Sequence, residues 1–241
     1  MVKVTFLYHS GFVVELSKHV LVFDYYKGQL PQIPSGKKLL FFASHKHPDH
    51  FQLSALKWAG QQEQSWIFLG KDIKLNEKYL ERKGIPAQIL SKIARLHDDE
   101  CVELPEAEVR VEALRSTDQG AAFVVRTEGI WIYHAGDLNH WYWAEEDECW
   151  NTQIEKDYKE QIDKLSGRHF QLAFVPLDPR LEEGYHLGLD YFLEKVEADA
   201  IFPMHMWEDY AVIQRYKETP AGKRSAQNIQ EIFRPGQVFE F

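Results

Sequence analysis

Cysteine is scarce: Cys101 and Cys149 are the only two in 241 residues, and no CxxC spacing joins them. That excludes a disulfide-stapled secreted scaffold and a thiolate metal knuckle. A chain of this length buries enough surface to fold without such staples, and a reducing cytoplasm is the expected setting. Long apolar runs are missing too, so no membrane span is expected. The opening residues reach His9 before a signal-type apolar region could form, and they read as a strand. Basic clusters are equally absent. No run of Lys or Arg exceeds two, and 37 acidic residues against 28 basic ones leave a net charge of −9. This balance disfavours a protein whose affinity comes from neutralising phosphate backbones. Neither nucleic acid nor membrane is an expected partner. There is no internal repeat, no low-complexity linker and no apolar stripe that calls for a homo-oligomer, which stays open.

What the chain does have is short β-branched and aromatic runs. Val2–Tyr8, Phe12–Leu16, Val20–Asp24, Leu39–Ala43 and Trp66–Gly70 read as strands, with helices over Gln52–Ala59 and Asp72–Gly84. Further strands are expected at Cys101–Leu104, Val109–Leu114, Ala121–Thr127, Ile130–His134, Leu172–Val175, Ala200–Pro203 and Val238–Phe241. Glu128-Gly129 is a hairpin turn signal. Helices are expected at Trp143–Leu165, Leu187–Val196, Asp209–Tyr216 and Ser225–Phe233. This is an α/β chain in one domain, 1–241, with two comparable halves, roughly 1–115 and 116–241. Two sheets packed face to face with helices outside, a four-layer sandwich, is one of several arrangements that suit it.

The segment Ser44-His45-Lys46-His47-Pro48-Asp49-His50 carries the chemistry. Three imidazoles and a carboxylate within six residues are more than a solvated loop needs. His45 and His47 follow a buried strand at i, i+2 and share a face of extended chain. Pro48 keeps His47 extended and then turns the chain, so Asp49 and His50 approach from another direction. Two imidazoles can take one ion while Asp49 and His50 take a second. Imidazole and carboxylate donors without thiolate favour Zn²⁺, with Mn or Fe as alternatives. Asp137, at a strand end behind Gly136, suits a bridging carboxylate; His205 lies just past another apolar strand. Alone, Asp137 reads as a turn residue and His205 as a core histidine; beside the first cluster both become candidate ligands.

These residues resemble the metallo-β-lactamase superfamily over nearly the whole chain. H-x-H-x-D-H is the specific motif, and Gly136-Asp137 and His205 support it by order. Tyr8-His9-Ser10-Gly11-Phe12 and Leu21-Val22-Phe23-Asp24 look like the opening of its ascorbate-phosphate-lactonase-like branch. The resemblance implies an αββα sandwich with two divalent metals at the edge between the sheets, and a small-molecule substrate. It assigns His45 and His47 to the first metal, Asp49, His50 and His205 to the second, and Asp137 to the bridge. One position departs from the family: where a third histidine is usual before the hairpin, this chain has Arg115-Ser116-Thr117-Asp118-Gln119-Gly120. Asp118 is either a substitute ligand or a turn residue before Gly120.

A metal pair of this kind activates a bridging hydroxide for attack on an acyl carbon or phosphorus. Asp49 would orient it, and His9 is the candidate for the developing oxyanion. His140, Trp141 and Trp207 either wall a substrate pocket or pack internally. Arg180 either grips a substrate carboxylate or phosphate or pairs with Asp178. The reading is a metal-dependent hydrolase acting on a small lactone or a carboxylic or phosphoric ester. A phosphodiesterase of the same fold is the nearest enzymatic alternative. A non-catalytic metal-binding or sensing module with a degraded first site is the other.

Overall fold

The structure, a computed structural model, describes residues 1–241. Thirteen strands form two sheets. The strands are β1 Lys3–Tyr8, β2 Gly11–Glu15, β3 His19–Phe23, β4 Lys38–Ala43, β5 Ser65–Gly70, β6 Ile93–Leu96, β7 Cys101–Leu104, β8 Val109–Arg115, β9 Ala121–Thr127, β10 Ile130–His134, β11 His169–Pro176, β12 Glu197–Met204 and β13 Val238–Glu240. The first sheet runs β13-β1-β2-β3-β4-β5-β6 and the second β12-β11-β10-β9-β8-β7. The helices are α1 Leu53–Gln61, α2 Glu77–Arg82, α3 Glu148–Asp163, α4 Leu187–Lys195, α5 Ala211–Lys217 and α6 Pro220–Ser225.

Period-2 burial explains the layering. In β3, β4 and β5, Val20, Val22, Leu39, Phe41, Ile67 and Leu69 join a cluster with Ala55 and Leu56 of α1 and Leu80 of α2. Their alternates Leu21, Phe23, Leu40, Phe42 and Phe68 point to the other sheet. With both faces buried, these strands read as continuous apolar runs, as parallel pairing of β3, β4, β5 and β6 requires. Between the sheets Phe42 stacks on Phe23 and Phe68, at 4.6 and 4.8 Å between ring centroids. Outside the second sheet Tyr133 of β10 stacks on Phe192 of α4 at 5.2 Å. The result is an αββα sandwich.

Several elements differ from the sequence reading. Sheet membership does not divide near residue 115, because β7 and β8 belong to the second sheet and β13 returns to the first. Strand β6 and the 3-10 turn Ala87–Lys92 before it lie in a segment with no clear alternation. Helix α2 covers only part of Asp72–Gly84, because Asn76 caps it, its side chain accepting from Tyr79 N–H, while Asp72 accepts from Lys46 N–H at 3.0 Å. Helix α3 begins at Glu148 rather than Trp143, since Asp147 accepts from Trp150 N–H. The helix expected over Ser225–Phe233 is replaced by α6, started by the Thr219 cap and Pro220. Beyond it the chain is drawn onto β12, with Ile201 N–H donating to Asn228 O at 2.8 Å and Gln230 N–H to Ile201 O at 2.8 Å.

Candidate metal centre

Five connections converge on one edge of the sandwich: the β1–β2 turn, and the segments that follow β4, β8, β10 and β12. They bring His9, His45, His47, Asp49, His50, Asp118, Asp137 and His205 together from positions up to about two hundred residues apart. Close backbone approach makes this possible. A Cβ on Gly120 would lie 1.9 Å from Ser44 O, and one on Gly136 would lie 2.6 Å from Ser44 Cβ. His9 and His205 adopt left-handed backbone, φ 58° and 66°, a conformation that side chains other than glycine rarely hold without a reason. They are also tied to each other, with His205 N–H donating to His9 O at 3.2 Å.

The donor atoms fall into two groups. His9, Asp49, His50 and His205 form the inner one, and His45, His47, Asp118 and Asp137 the outer, each within 4.8 Å internally. The Asp137 carboxylate lies between them. Its Oδ2 is 3.3 Å from His45 Nε2, and its Oδ1 is 3.2 Å from His50 Nε2 and 3.5 Å from His205 Nε2. His45 Nε2 and His47 Nδ1 face each other at 3.0 Å. His9, read from sequence as an oxyanion group, sits inside the inner group, with Nε2 3.5 Å from Asp49 Oδ2. Asp118 reaches His47 Nδ1 only at 3.9 Å, and both side chains are over a third exposed.

A divalent cation fits this donor set. His9 Nδ1 and Nε2, His50 Nε2 and Asp137 Oδ1 are buried and have no hydrogen-bond partner. Such atoms carry a desolvation cost that nothing in the chain offsets. They converge from three separate segments, and imidazole with carboxylate is a transition-metal donor set.

Two carboxylates that the sequence reading did not place in the site hold the histidines. Asp24 is fully buried. Its Oδ2 accepts from His50 Nδ1–H at 2.7 Å and from the Ser44 hydroxyl at 2.6 Å, and its Oδ1 accepts from Ser44 N–H at 2.7 Å. Asp178, also buried, accepts from His205 Nδ1–H at 2.8 Å. Each bond leaves Nε2 of its histidine bare and aimed at Asp137, the arrangement that orients metal-binding imidazoles. Arg180 donates to Asp178 through Nε and Nη2, at 3.0 and 2.5 Å. The Asp178–Arg180 pair is thus part of the site. His134 spans the sheets, its Nε2–H donating to Ser10 O at 2.9 Å and its Nδ1 accepting from Gly136 N–H at 3.2 Å. Gln119 faces His47 Nε2 at 3.0 Å.

Charge follows this packing. Burial pushes the Asp137 carboxyl up, and the nearby Asp24, Asp118 and Asp49 push the same way against His50, to about 7. Burial works against a charged His50, but Asp137 and the Asp24 hydrogen bond outweigh it and raise its pKa to about 9. Both shifts favour protonation of this pair when no cation is present, and a cation among these donors would compete with the proton. Burial keeps His45 and His205 neutral, with pKa values lowered to about 2 and about 3. His9 is lowered by burial too, despite the pull of Asp49. Burial alone would raise Asp24, yet the nearby His134 ring and the His50 bond bring it to about 2. Asp49 is held well below the usual carboxylate range, burial being outweighed by the nearby His9 ring, at 3.5 Å, and by His50.

In front of the donors opens a cavity of ≈ 310 Å³, lined among others by His47, Asp49, Asp118, Trp141, Arg180 and Trp207. His140 is a correction. It turns away, 6.2 Å from the Tyr158 ring, into a separate cavity with Glu155 and Asp190. Tyr142 N–H donates to His140 O at 2.9 Å, a tight turn about Trp141, and the two side chains line different cavities.

Residues 3–149 match the family model described as the beta-lactamase superfamily domain. A UPF0173 metal-dependent hydrolase of Korarchaeum cryptofilum is 26% identical over 253 residues, which cover 100% of both chains. Among solved structures, Igni18, a metallo hydrolase from Ignicoccus hospitalis, superposes with a TM-score of 0.61 at 17% identity, over 100% of this chain and 99% of its own. CmlA, a diiron beta-hydroxylase from Streptomyces venezuelae, does so with 0.57 at 10% identity, over 86% of this chain and 45% of its own. At such identities the likeness is one of fold, and a hydrolase and a hydroxylase share it, so chemistry must be argued from the site. No helix is long and apolar enough to cross a membrane. By sheet order and family match alike, the chain belongs to the metallo-β-lactamase superfamily.

Proposed function

We propose that this chain, a metal-dependent hydrolase of its superfamily, cleaves an ester bond in a small metabolite, a lactone or a carboxylic or phosphoric ester. Two divalent ions, Zn²⁺ first among the candidates, would be held by the inner and outer groups, with Asp137 placed to serve both. The observation that carries this reading is the set of buried, unpartnered atoms on His9, His50 and Asp137, converging beside a solvent-reachable cavity. Ions bound there supply Lewis-acid polarisation of the carbonyl or phosphoryl oxygen and a nucleophile from water at neutral pH.

The chain's own groups do the rest. Asp24 and Asp178 lock the tautomers of His50 and His205, so that Nε2 of each stays bare. Asp49, ionised at any working pH, can hold a proton donor in line with the scissile bond. His9 is buried beside His205, the two rings 4.0 Å apart and its Nε2 3.5 Å from Asp49 Oδ2, and would serve the inner group as a donor. Trp141 and Trp207 shed water from the approach to the donors. Arg180, whose Nε and Nη2 are tied to Asp178, offers Nη1 to an anionic substrate group.

The test is metal analysis followed by a panel of lactones, carboxylic esters and phosphodiesters, run with Zn, Mn or Fe added back. About two equivalents of metal per chain are expected, and loss of turnover in both His50→Ala and Asp137→Ala. Metal content near zero, or full activity in both variants, refutes the reading.

A further inference from the structure

Every apolar residue lining the cavity in front of the donors is a tryptophan: Trp141, Trp143, Trp150 and Trp207, of the seven in the chain. An aliphatic substrate is ordinarily met by Leu, Ile, Val or Met, and none contributes here. Indoles present flat polarisable faces that suit another flat ring. Trp141 lies deepest, 7% exposed, and its Nε1–H already donates to Asp137 O at 2.9 Å. It therefore offers a ligand its ring and no donor.

Trp207 is the opposite case. It stands 40% exposed at the mouth on left-handed backbone, φ 50°, and Glu208 follows at φ 70°. Two successive strained residues without glycine need an outside restraint. The Tyr8 hydroxyl supplies it by donating to the Glu208 carboxylate at 2.5 Å. So held, the Trp207 ring lies 4.3 Å from that of His9. An indole kept half in water on a strained backbone adds little to the core, and its position is explained by what it covers.

Aromatic walls also take ammonium ions, so charge has to decide. Here the cation is the protein's own. The Arg180 guanidinium lies 4.8 Å from the Trp207 ring and 5.8 Å from that of Trp143. A second cation would meet it head-on, while a carboxylate or carbonyl oxygen would find Nη1. The aspartates in the lining belong to the two donor groups and face the centre.

We propose that the pocket selects substrates carrying a flat aromatic ring beside the hydrolysed bond, the ring held by Trp207, Trp143 and Trp150 and an oxygen by Arg180. The proposal rests on the hydrolase reading and names its substrate class. Its test is calorimetric binding to the metal-loaded protein, with 2-naphthoate against decahydro-2-naphthoate, the saturated acid of the same skeleton and charge. The aromatic acid should bind about tenfold more tightly. Trp207→Leu should weaken naphthoate about five- to tenfold and leave the saturated acid within about twofold, and Trp207→Phe should restore most of the loss. Equal affinities in the wild type, equal losses in Trp207→Leu, or no binding of either acid up to about 10 mM would overturn it. So would tighter binding of phenyltrimethylammonium than of naphthoate. Because binding is read without turnover, an inactive protein that prefers naphthoate sinks only the hydrolase reading. An active hydrolase indifferent to the ring sinks only this inference.

Discussion

Replacing Asp24 by Asn changes one atom and should disable a histidine it does not remove. In the wild type both carboxylate oxygens accept: Oδ1 from Ser44 N–H at 2.7 Å, Oδ2 from the Ser44 hydroxyl at 2.6 Å and from His50 Nδ1–H at 2.7 Å. An amide has one oxygen. If that oxygen keeps Ser44 N–H, the NH₂ meets His50 Nδ1 and drives the imidazole proton to Nε2, the atom that faces Asp137 at 3.2 Å. If the amide flips, two donors meet at Ser44 N–H. Either way His50 loses its clamp, and loss of such an outer partner lowers metal affinity about 10- to 100-fold, or about 1.4–2.7 kcal/mol. Competition for Zn²⁺ with a chromophoric chelator measures this, and far-UV circular dichroism checks the fold. Ser44→Ala, which leaves the Asp24–His50 bond in place, should cost less than about tenfold. A folded Asp24→Asn protein that binds Zn²⁺ within about twofold of wild type would refute the tautomer argument.

Other outcomes follow from the same geometry. Metal should bind in two steps, because the inner group is buried and carboxylate-clamped while His47 and Asp118 are more than a third exposed. Asp118→Ala should remove the weaker step alone in a calorimetric titration, and loss of both steps would contradict the split. In metal-free protein, His50 has a folded pKa of about 9, above its ordinary 6.5. A raised histidine contributes stability that is complete below 6.5 and lost as pH rises through 9. Asp137, raised to about 7, acts in the same direction at the lower end of that window. His45 and His205, lowered to about 2 and about 3, are neutral in the folded state across it. The melting temperature of the metal-free form should thus fall between pH 6.5 and 9, and the gain on adding Zn²⁺ should widen; a constant gain would count against it. His134→Phe keeps the stack on Phe23, at 4.9 Å, but strands Ser10 O and Gly136 N–H. Urea unfolding should show a loss of about 2–3 kcal/mol, and a neutral result would mean that water replaces the imidazole.

The sandwich was legible because burial on both faces leaves a direct trace. Runs such as Val20-Leu21-Val22-Phe23 and Leu39-Leu40-Phe41-Phe42 have no polar alternates to misplace. The dense loop at His45–His50 was legible for a similar local reason, since its residues need no distant partner to look unusual. Asp24 and Asp178 carried no such signal. Each is one of 37 acidic residues, and each gains its role only when the fold sets it against a histidine 26 or 27 positions away. Trp143 and Trp150 were read as helix, and only the Asp147 cap, which delays α3, frees Trp143 to face the cavity. His140 was misplaced because the tight turn about Trp141, closed by Tyr142 N–H on His140 O, is not recorded in any local pattern. The Ser225–Phe233 segment was read as helix because its pairing with Ile201 of β12 is a long-range contact that no local pattern records.

The absent histidine before the hairpin takes on a different meaning once the lining of the cavity is considered. Of the histidine donors in the two groups, His47 and His205 reach the cavity, while His9, His45 and His50 do not. The departure from the family pattern therefore falls at the mouth and leaves the buried end of the site intact. A histidine in place of Asp118 would add a third imidazole to the outer group; the carboxylate that stands there is a harder donor and is more than a third exposed. Such a donor would favour harder, more readily exchanged ions there, while Asp24 and Asp178 clamp His50 and His205 of the inner group. Catalytic metal sites keep one position open where structural sites are closed. On the proposed reading, the less tightly held donor would lie at Asp118, on the side where the tryptophans and Arg180 would receive a substrate.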